Sequence, residues 1–392
     1  MVAVAVHLKW HQTFLFLFQT VLFVADTTTD VLTSLKYQEQ GHKYWFGVSL
    51  GLTVISMVVL SIWSIMVSTS RLLSKEEDSV EVDNPDVIFR NNRLNFLLSL
   101  LCLGPPLHSF QMFLVCASRF KELWKSNTGL LIEKERLYYL YVHTLNLKMA
   151  EGLLEAAPQL IVQVYVMLEE RKDVSLIQKI SAPLCLLSLT WMITSMEAFR
   201  EFKHYNLKLV HNLIIFLSNL GIIAARALAI VCFTIAFRWW ILLLFGVHFF
   251  IINFTGFVLW RSNRKQDMLV FIFAYSPLYL FVYSSYYLKK LRGDAPFARA
   301  RLVVVTVSWH VLFTLENIGM ILAYYFRRHD SDDKLQWFLI FAVVIVSVGN
   351  LGGILLKSLS WYCCFQKDED EYLNIQRAST LMVTTGHTMN RV

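Results

Sequence analysis

The sequence predicts an all-α polytopic membrane protein of two related halves, with about eight spanning helices and two proline-broken re-entrant segments. The composition, ten long apolar runs and the placement of basic residues between them carry that prediction. Of 392 residues, 56% are hydrophobic, 14% aromatic and only 17% charged, outside the range of ordinary soluble domains. The net charge of +7 would suit nucleic acid, but Lys and Arg fall in short loops and form no basic patch with interleaved aromatics. No nucleic-acid partner is expected.

The apolar runs lie near 12 to 35, 44 to 69, 94 to 118, 137 to 168, 178 to 199, 209 to 234, 238 to 260, 268 to 290, 301 to 326 and 335 to 358. Each suits the roughly 20 residues a helix needs to cross hydrocarbon, whereas barrel strands would be half as long and alternate in polarity. The first reads as a retained anchor, because Phe23-Val24-Ala25 lacks a small-x-small cleavage pattern and Asp26 interrupts the run.

If all ten cross and the N-terminus is cytosolic, the inside loops hold 13 basic residues and the outside loops 16, against the positive-inside tendency. Two runs are broken by proline, the third at Gly104-Pro105-Pro106 and the eighth at Ser276-Pro277. If both re-enter from the cytosolic side, the count becomes 20 inside and 9 outside. The chain then divides into an N-terminal membrane half (1–202), a C-terminal membrane half (203–362) and a cytosolic tail (363–392), with both termini cytosolic. The broken run is third of five in each half, and such paired breaks point to a polar site or pathway.

Eight ionisable residues are singled out inside the runs: Asp26, Asp30, Lys148, Glu151, Glu155, Glu197, Arg226 and Glu316. Each costs about 3 kcal/mol at the bilayer centre unless paired or hydrated. Lys148, Glu151 and Glu155 share one helix face, where Lys148 can pair with Glu151 and Arg226 is the expected partner of Glu155. Asp26 and Asp30, one turn apart, call for basic partners or water. His108, just past the Pro105-Pro106 break, either lines the same region or packs. The charges read either as a hydrophilic track or as buried pairs fixing helix register.

The glycines of Gly47-Val48-Ser49-Leu50-Gly51 and Gly349-Asn350-Leu351-Gly352-Gly353 suggest close helix packing. His7 and His11 read as an exposed helical pair without a third ligand, so no metal site is expected. Cys102, Cys116, Cys185 and Cys232 lie in apolar runs and act as small hydrophobes. Cys363 and Cys364 follow the last run, where they carry palmitoyl or remain plain thiols. No phosphate-cradling loop, GxSxG elbow or HExxH is present in the sequence, so neither enzymatic chemistry nor a cofactor is expected.

The stretch KMAEGLLEAAPQL at Lys148 to Leu160, continuing IVQVYVMLEE, resembles the signature of the XK-related (Kell-associated XK) family of membrane proteins. Gln163, Tyr165, Trp191, Asn219, Arg226 and Glu316 are similar to its recurring positions, while Lys148 and His108 stand where members commonly carry Arg. The resemblance is strong from about residue 94 to 234 and lies mainly in hydrophobic pattern over the C-terminal third. It implies a helical protein with intramembrane charges. Some members are apoptotic phospholipid scramblases activated by caspase cleavage, and others bind a single-span membrane partner or a lipid-transfer protein.

The function expected from these features is an ATP-independent plasma-membrane scramblase that exposes phosphatidylserine during apoptosis. A structural or adaptor subunit and a solute transporter are the alternatives. For the trigger, Lys367-Asp368-Glu369-Asp370 is a poor caspase match, and Asp330-Ser331-Asp332-Asp333 lies outside the cell in this topology. Val80-Glu81-Val82-Asp83, followed by Asn84-Pro85 in a polar cytosolic loop, is the candidate caspase site. Apoptotic cells should therefore yield a chain cut between Asp83 and Asn84, and Asp83→Ala should stay intact on an immunoblot of the two halves.

Overall fold

The computed structural model describes residues 6–8, 10–73, 104–125, 130–132, 135–169, 174–201, 209–259, 276–281, 297–328 and 340–359. Asp83, Cys102, Cys363 and Cys364 lie outside them. Among the described residues, six helices are long and apolar enough to cross a membrane: Trp10–Glu39, Lys43–Met66, Leu176–Ala198, Leu209–Phe237, Trp240–Val258 and Ile340–Leu359. The protein is an all-α polytopic membrane protein apart from one two-stranded ribbon. Large apolar side chains point outward, as Leu242, Phe250, Phe254 and Val258 do along one helix, because lipid rather than water is the solvent there.

Helix α1 (Trp10–Glu39) stops at Gly41, whose φ of +82° a side chain would resist. The Gly41 and His42 amides donate to the carbonyls of Gln38 (3.0 Å) and Tyr37 (2.9 Å), satisfying the helix end before α2 (Lys43–Leu73) turns back. α3 (Gly104–Ser118) has Pro105 and Pro106 in its first turn, where a helix needs no amide donors. Its Ser109 hydroxyl accepts from Gln19 Nε2 at 2.9 Å. α4 (Phe120–Lys125) then stacks on the start of α1, Trp10 against Trp124 at 4.9 Å and Phe14 against Phe120 at 5.9 Å.

Strand β1 (Val6–Leu8) pairs antiparallel with β2 (Leu130–Ile132), Val6 opposite Ile132 and Leu8 opposite Leu130. The N-terminus and the segment after α4 therefore lie at one end of the bundle. α2 also descends to that end, since Ser49 meets Ser34 high on α1 while Ser64 meets His108 on α3. The ends of α2 and α3 thus lie on one side of the bundle, an arrangement compatible with the expected re-entry of the third apolar run. His7 falls in the strand and His11 is buried in α1, which corrects the expected exposed helical pair: the chain changes from strand to helix between them.

α5 (Glu135–Glu151), a π turn (Gly152–Ala156) and α6 (Ala157–Glu169) form one rising rod. Pro158 has no N–H for the Leu154 carbonyl, and the rod widens just before it, with the Ala157 amide donating to Gly152 O five residues back. α7 (Leu176–Glu201) descends beside it and α8 (Leu209–Phe237) rises. Arg238, at φ 47°, turns the chain into the descending α9 (Trp240–Leu259).

The second half ends in α10 (Phe297–Arg328) and α11 (Ile340–Leu359). α11 runs antiparallel to α8: the Ser218 hydroxyl donates to Gly353 O at 2.6 Å, and a Cβ on Gly221 would lie 2.9 Å from Gly349 O. α10 is antiparallel to α11, because Lys357 acts electrostatically on His310 while Asn350 bonds Asn317 at 3.3 Å. α9 therefore ends, and α10 begins, at the N-terminal end, while Tyr279 and Leu280 between them reach the depth of His248 and Arg226. This placement is compatible with the expected second re-entry. Its tip is a 3-10 turn, Leu278–Leu280, in which the Leu280 amide donates to Pro277 O at 3.2 Å.

Of the glycines expected to pack, Gly349 and Gly353 do, whereas a Cβ on Gly47, Gly51 or Gly352 would meet nothing within 4 Å. The motif is a spacing, and only one face of each helix meets a neighbour.

The strand pairing yields a topology test. Cysteines placed at Asn127 and Gly293 should be labelled by an impermeant thiol reagent from the same membrane side as an N-terminal epitope tag; labelling of either from the opposite side contradicts the double re-entry.

Candidate functional site

Four carboxylates and one ammonium gather between α1, α2, α7 and the α5–α6 rod. Asp26, Asp30, Glu151, Glu155 and Lys148 are each at most 3% exposed. The sequence placed them in two separate apolar runs, and the fold makes them one column. Toward its upper end Gln159 donates to Ser49 O (2.7 Å) and Thr53 Oγ1 (2.9 Å) while accepting from Ser49 Oγ (2.9 Å). Next is Asp30, whose Oδ1 accepts from Gln163 Nε2 (2.8 Å), Ser181 Oγ (2.8 Å) and Cys185 Sγ (3.3 Å). Below lie Glu155, accepting from Ser56 (3.1 Å), and Glu151, accepting from Ser188 (3.3 Å) and Lys148 (3.5 Å). Gln19 with Ser109, and Ser64 with His108 at 3.0 Å, continue the polar line down to α3.

The Lys148 and Glu151 pair forms as the helix spacing dictates. One other expectation is corrected. Arg226 is not the partner of Glu155, because the two belong to different polar clusters and a serine hydroxyl from α2 reaches the carboxylate instead. Asp30 Oδ1 takes three neutral donors from the described residues, and hydrogen bonds of this kind disperse a carboxylate's charge. Asp26 Oδ1, Asp30 Oδ2 and Glu155 Oε1 have no hydrogen-bond partner among the described residues. Donor atoms of Asp26, Asp30 and Cys185 lie within 4.8 Å of one another, close enough to be ligand candidates, although Asp30 Oδ1 is already engaged three times. Cys116, Cys185 and Cys232 are free and buried.

Arg226 centres a second network. Fully buried, it donates through Nε to Leu280 O (2.8 Å) and through Nη1 to Asn317 Oδ1 (2.8 Å), and pairs with Glu316 at 3.0 Å. Its guanidinium lies over the Phe313 ring, 4.8 Å from the centroid. His248, which sequence reasoning missed, contacts Tyr279 O and Glu316 Oε2, both at 3.1 Å.

A third cluster joins the halves near the N-terminal end. Lys357 of α11 pairs with Glu197 of α7, and Asn219 of α8 donates to the same carboxylate at 2.9 Å. Lys357 lay within the last apolar run, visible as a charge but close enough to its end to pass as a surface residue. Trp191 packs between Phe18 and Phe216, with ring centroids 5.4 and 6.0 Å away.

These features define a polytopic helical membrane protein with clusters of charged groups enclosed among its helices. A model of the XK-related protein family matches residues 14–367, and the chain belongs to that family. It is similar to XK-related protein 8 of Tetraodon nigroviridis, 25% identical over 355 residues that cover 88% of this chain and 80% of the relative. XK-related protein 8 of Gasterosteus aculeatus is 24% identical over 360 residues, covering 88% and 81%.

The Glu197 and Lys357 pair is testable by a double-mutant cycle. Glu197→Leu and Lys357→Met should each destabilise the protein by about 3 to 5 kcal/mol by leaving one buried charge alone, and the double variant should recover most of the loss in thermal unfolding in detergent.

Proposed function

We propose that this protein is an ATP-independent phospholipid scramblase of the plasma membrane, with both termini cytosolic, that exposes phosphatidylserine during apoptosis. The observation that supports this most directly is the polar column running from Gln159 to His108 through lipid-embedded helices. A head group is opposed in hydrocarbon by the loss of its hydration, and a line of acids, amides and hydroxyls with one ammonium offers replacement partners at successive depths. The acyl tails stay in lipid throughout, so neither bond chemistry nor a cofactor is needed.

In the conformation described, the column is covered. Asp30 is tied to Ser181, and Glu151 to Ser188, across the seam where α1 and the α5–α6 rod meet α7. Parting that seam would present the column to lipid, and a trigger such as cleavage at Asp83 would act by favouring the parted state.

Burial also suits the adaptor reading, in which the charges only hold the bundle while its loops recruit a single-span membrane protein or a lipid-transfer protein. Reconstitution separates the two. Purified protein in vesicles carrying fluorescent phosphatidylserine should let chemical quenching reach the inner-leaflet dye, while Asp30→Asn and Glu151→Gln fall to the level of protein-free vesicles at equal incorporation. Normal lipid movement in both variants makes the column structural; none in the wild type, with and without cleavage at Asp83, favours the adaptor.

A further inference from the structure

We propose that His248 is a positioning residue that seats the second re-entrant tip as a cover over Arg226. The tip around Pro277 is a 3-10 turn, and at membrane depth carbonyls outside long regular helices draw donors from neighbouring helices. Two adjacent carbonyls find them: Leu280 O takes Arg226 Nε at 2.8 Å, and Tyr279 O faces His248 Nε2 at 3.1 Å. A carbonyl only accepts, so the hydrogen of that contact is on Nε2.

The other face of the imidazole is also engaged. Nδ1 lies 3.1 Å from Glu316 Oε2, the carboxylate that also pairs with Arg226. Through its two nitrogens the ring bridges the tip to α10. Phe313 forms the wall behind both groups, edge-on to His248 at 5.1 Å and beneath the Arg226 guanidinium at 4.8 Å. Lower on α9, Asn253 Nδ2 donates to Ser276 Oγ at 2.7 Å, so one helix grips the tip at two levels.

The consequence is enclosure. Ser276, Tyr279 and Phe281 are buried, and so is Arg226, whose Nη2 has no hydrogen-bond partner among the described residues. A guanidinium whose Nη2 is unengaged among the described residues, covered by the 3-10 turn, becomes accessible to an anionic head group once that turn lifts. His248 therefore sets how often Arg226 is uncovered. The lipid-movement arm of the test rests on the scramblase reading, whereas the labelling arm does not.

The experiment uses the full chain with Leu280→Cys as reporter, a small thiosulfonate reagent, and mass spectrometry of the peptide containing residue 280. With His248 present, labelling should be slow. His248→Leu should speed it about tenfold, the effect of one lost buried hydrogen bond, while His248→Gln, which keeps a donor, should stay within about threefold of the parent. A generally loosened bundle would not be rescued by Gln. If His248→Leu does not reach the membrane, Asn253→Leu is read in the same way.

In vesicles, His248→Leu should raise basal lipid transfer. Equal labelling rates in His248→Leu and parent overturn the seat even if the wild type scrambles lipid. Faster labelling with no lipid transfer in any variant leaves the seat standing and removes the scramblase reading.

Discussion

A bilayer offers a charged side chain no solvent, and every polar arrangement in this protein follows from that deficit. A helix satisfies its own backbone, so hydrophobic area does not dictate which faces of two spanning helices meet, lipid tails being as apolar as leucine. Charge and hydrogen bonding set the register instead. Asp30 draws Gln163 of the rod and Ser181 and Cys185 of α7 onto α1, and one carboxylate aligns three elements. Arg226 does the same in the second half, collecting the 3-10 turn after Pro277 through Leu280 and α10 through Asn317 and Glu316.

The two halves use this device differently. In the first, acids outnumber bases and are dispersed over hydroxyls, amides and one lysine, so the column is extended along the membrane normal. In the second, a single guanidinium is enclosed by a carboxylate, an asparagine, an aromatic face and a backbone carbonyl. An extended chain of moderate contacts is suited to exchanging partners with something that moves past it, whereas a compact cage is suited to holding a segment in place. Between them, Glu197, Asn219 and Lys357 join α7, α8 and α11, while glycines let α8 and α11 approach backbone to backbone.

Membership of the XK-related family fits this economy, since the family signature at residues 148 to 160 is the part of the rod that supplies Lys148, Glu151, Glu155 and Gln159 to the column. The π turn explains why glutamates and a proline belong together there. Pro158 removes a backbone donor, the rod widens before it, and the polar side chains around that point meet α2 and α7 rather than lipid.

The sequence by itself determined the class of protein, the ten runs, the two breaks and the fact that the intramembrane charges must be shielded, because hydropathy, proline chemistry and charge count are properties of local stretches. It also determined the Lys148 and Glu151 pair, whose spacing along one helix suffices. Only the tertiary structure decided that Glu155 meets Ser56 and Arg226 meets Glu316, that Asp30 meets Gln163, Ser181 and Cys185, that His248 and Lys357 belong to buried networks, and that His11 is covered. Each of these depends on the rotation of one helix against another. Apolar surface in lipid leaves that rotation nearly free, and it is settled only when all the buried polar groups find partners together.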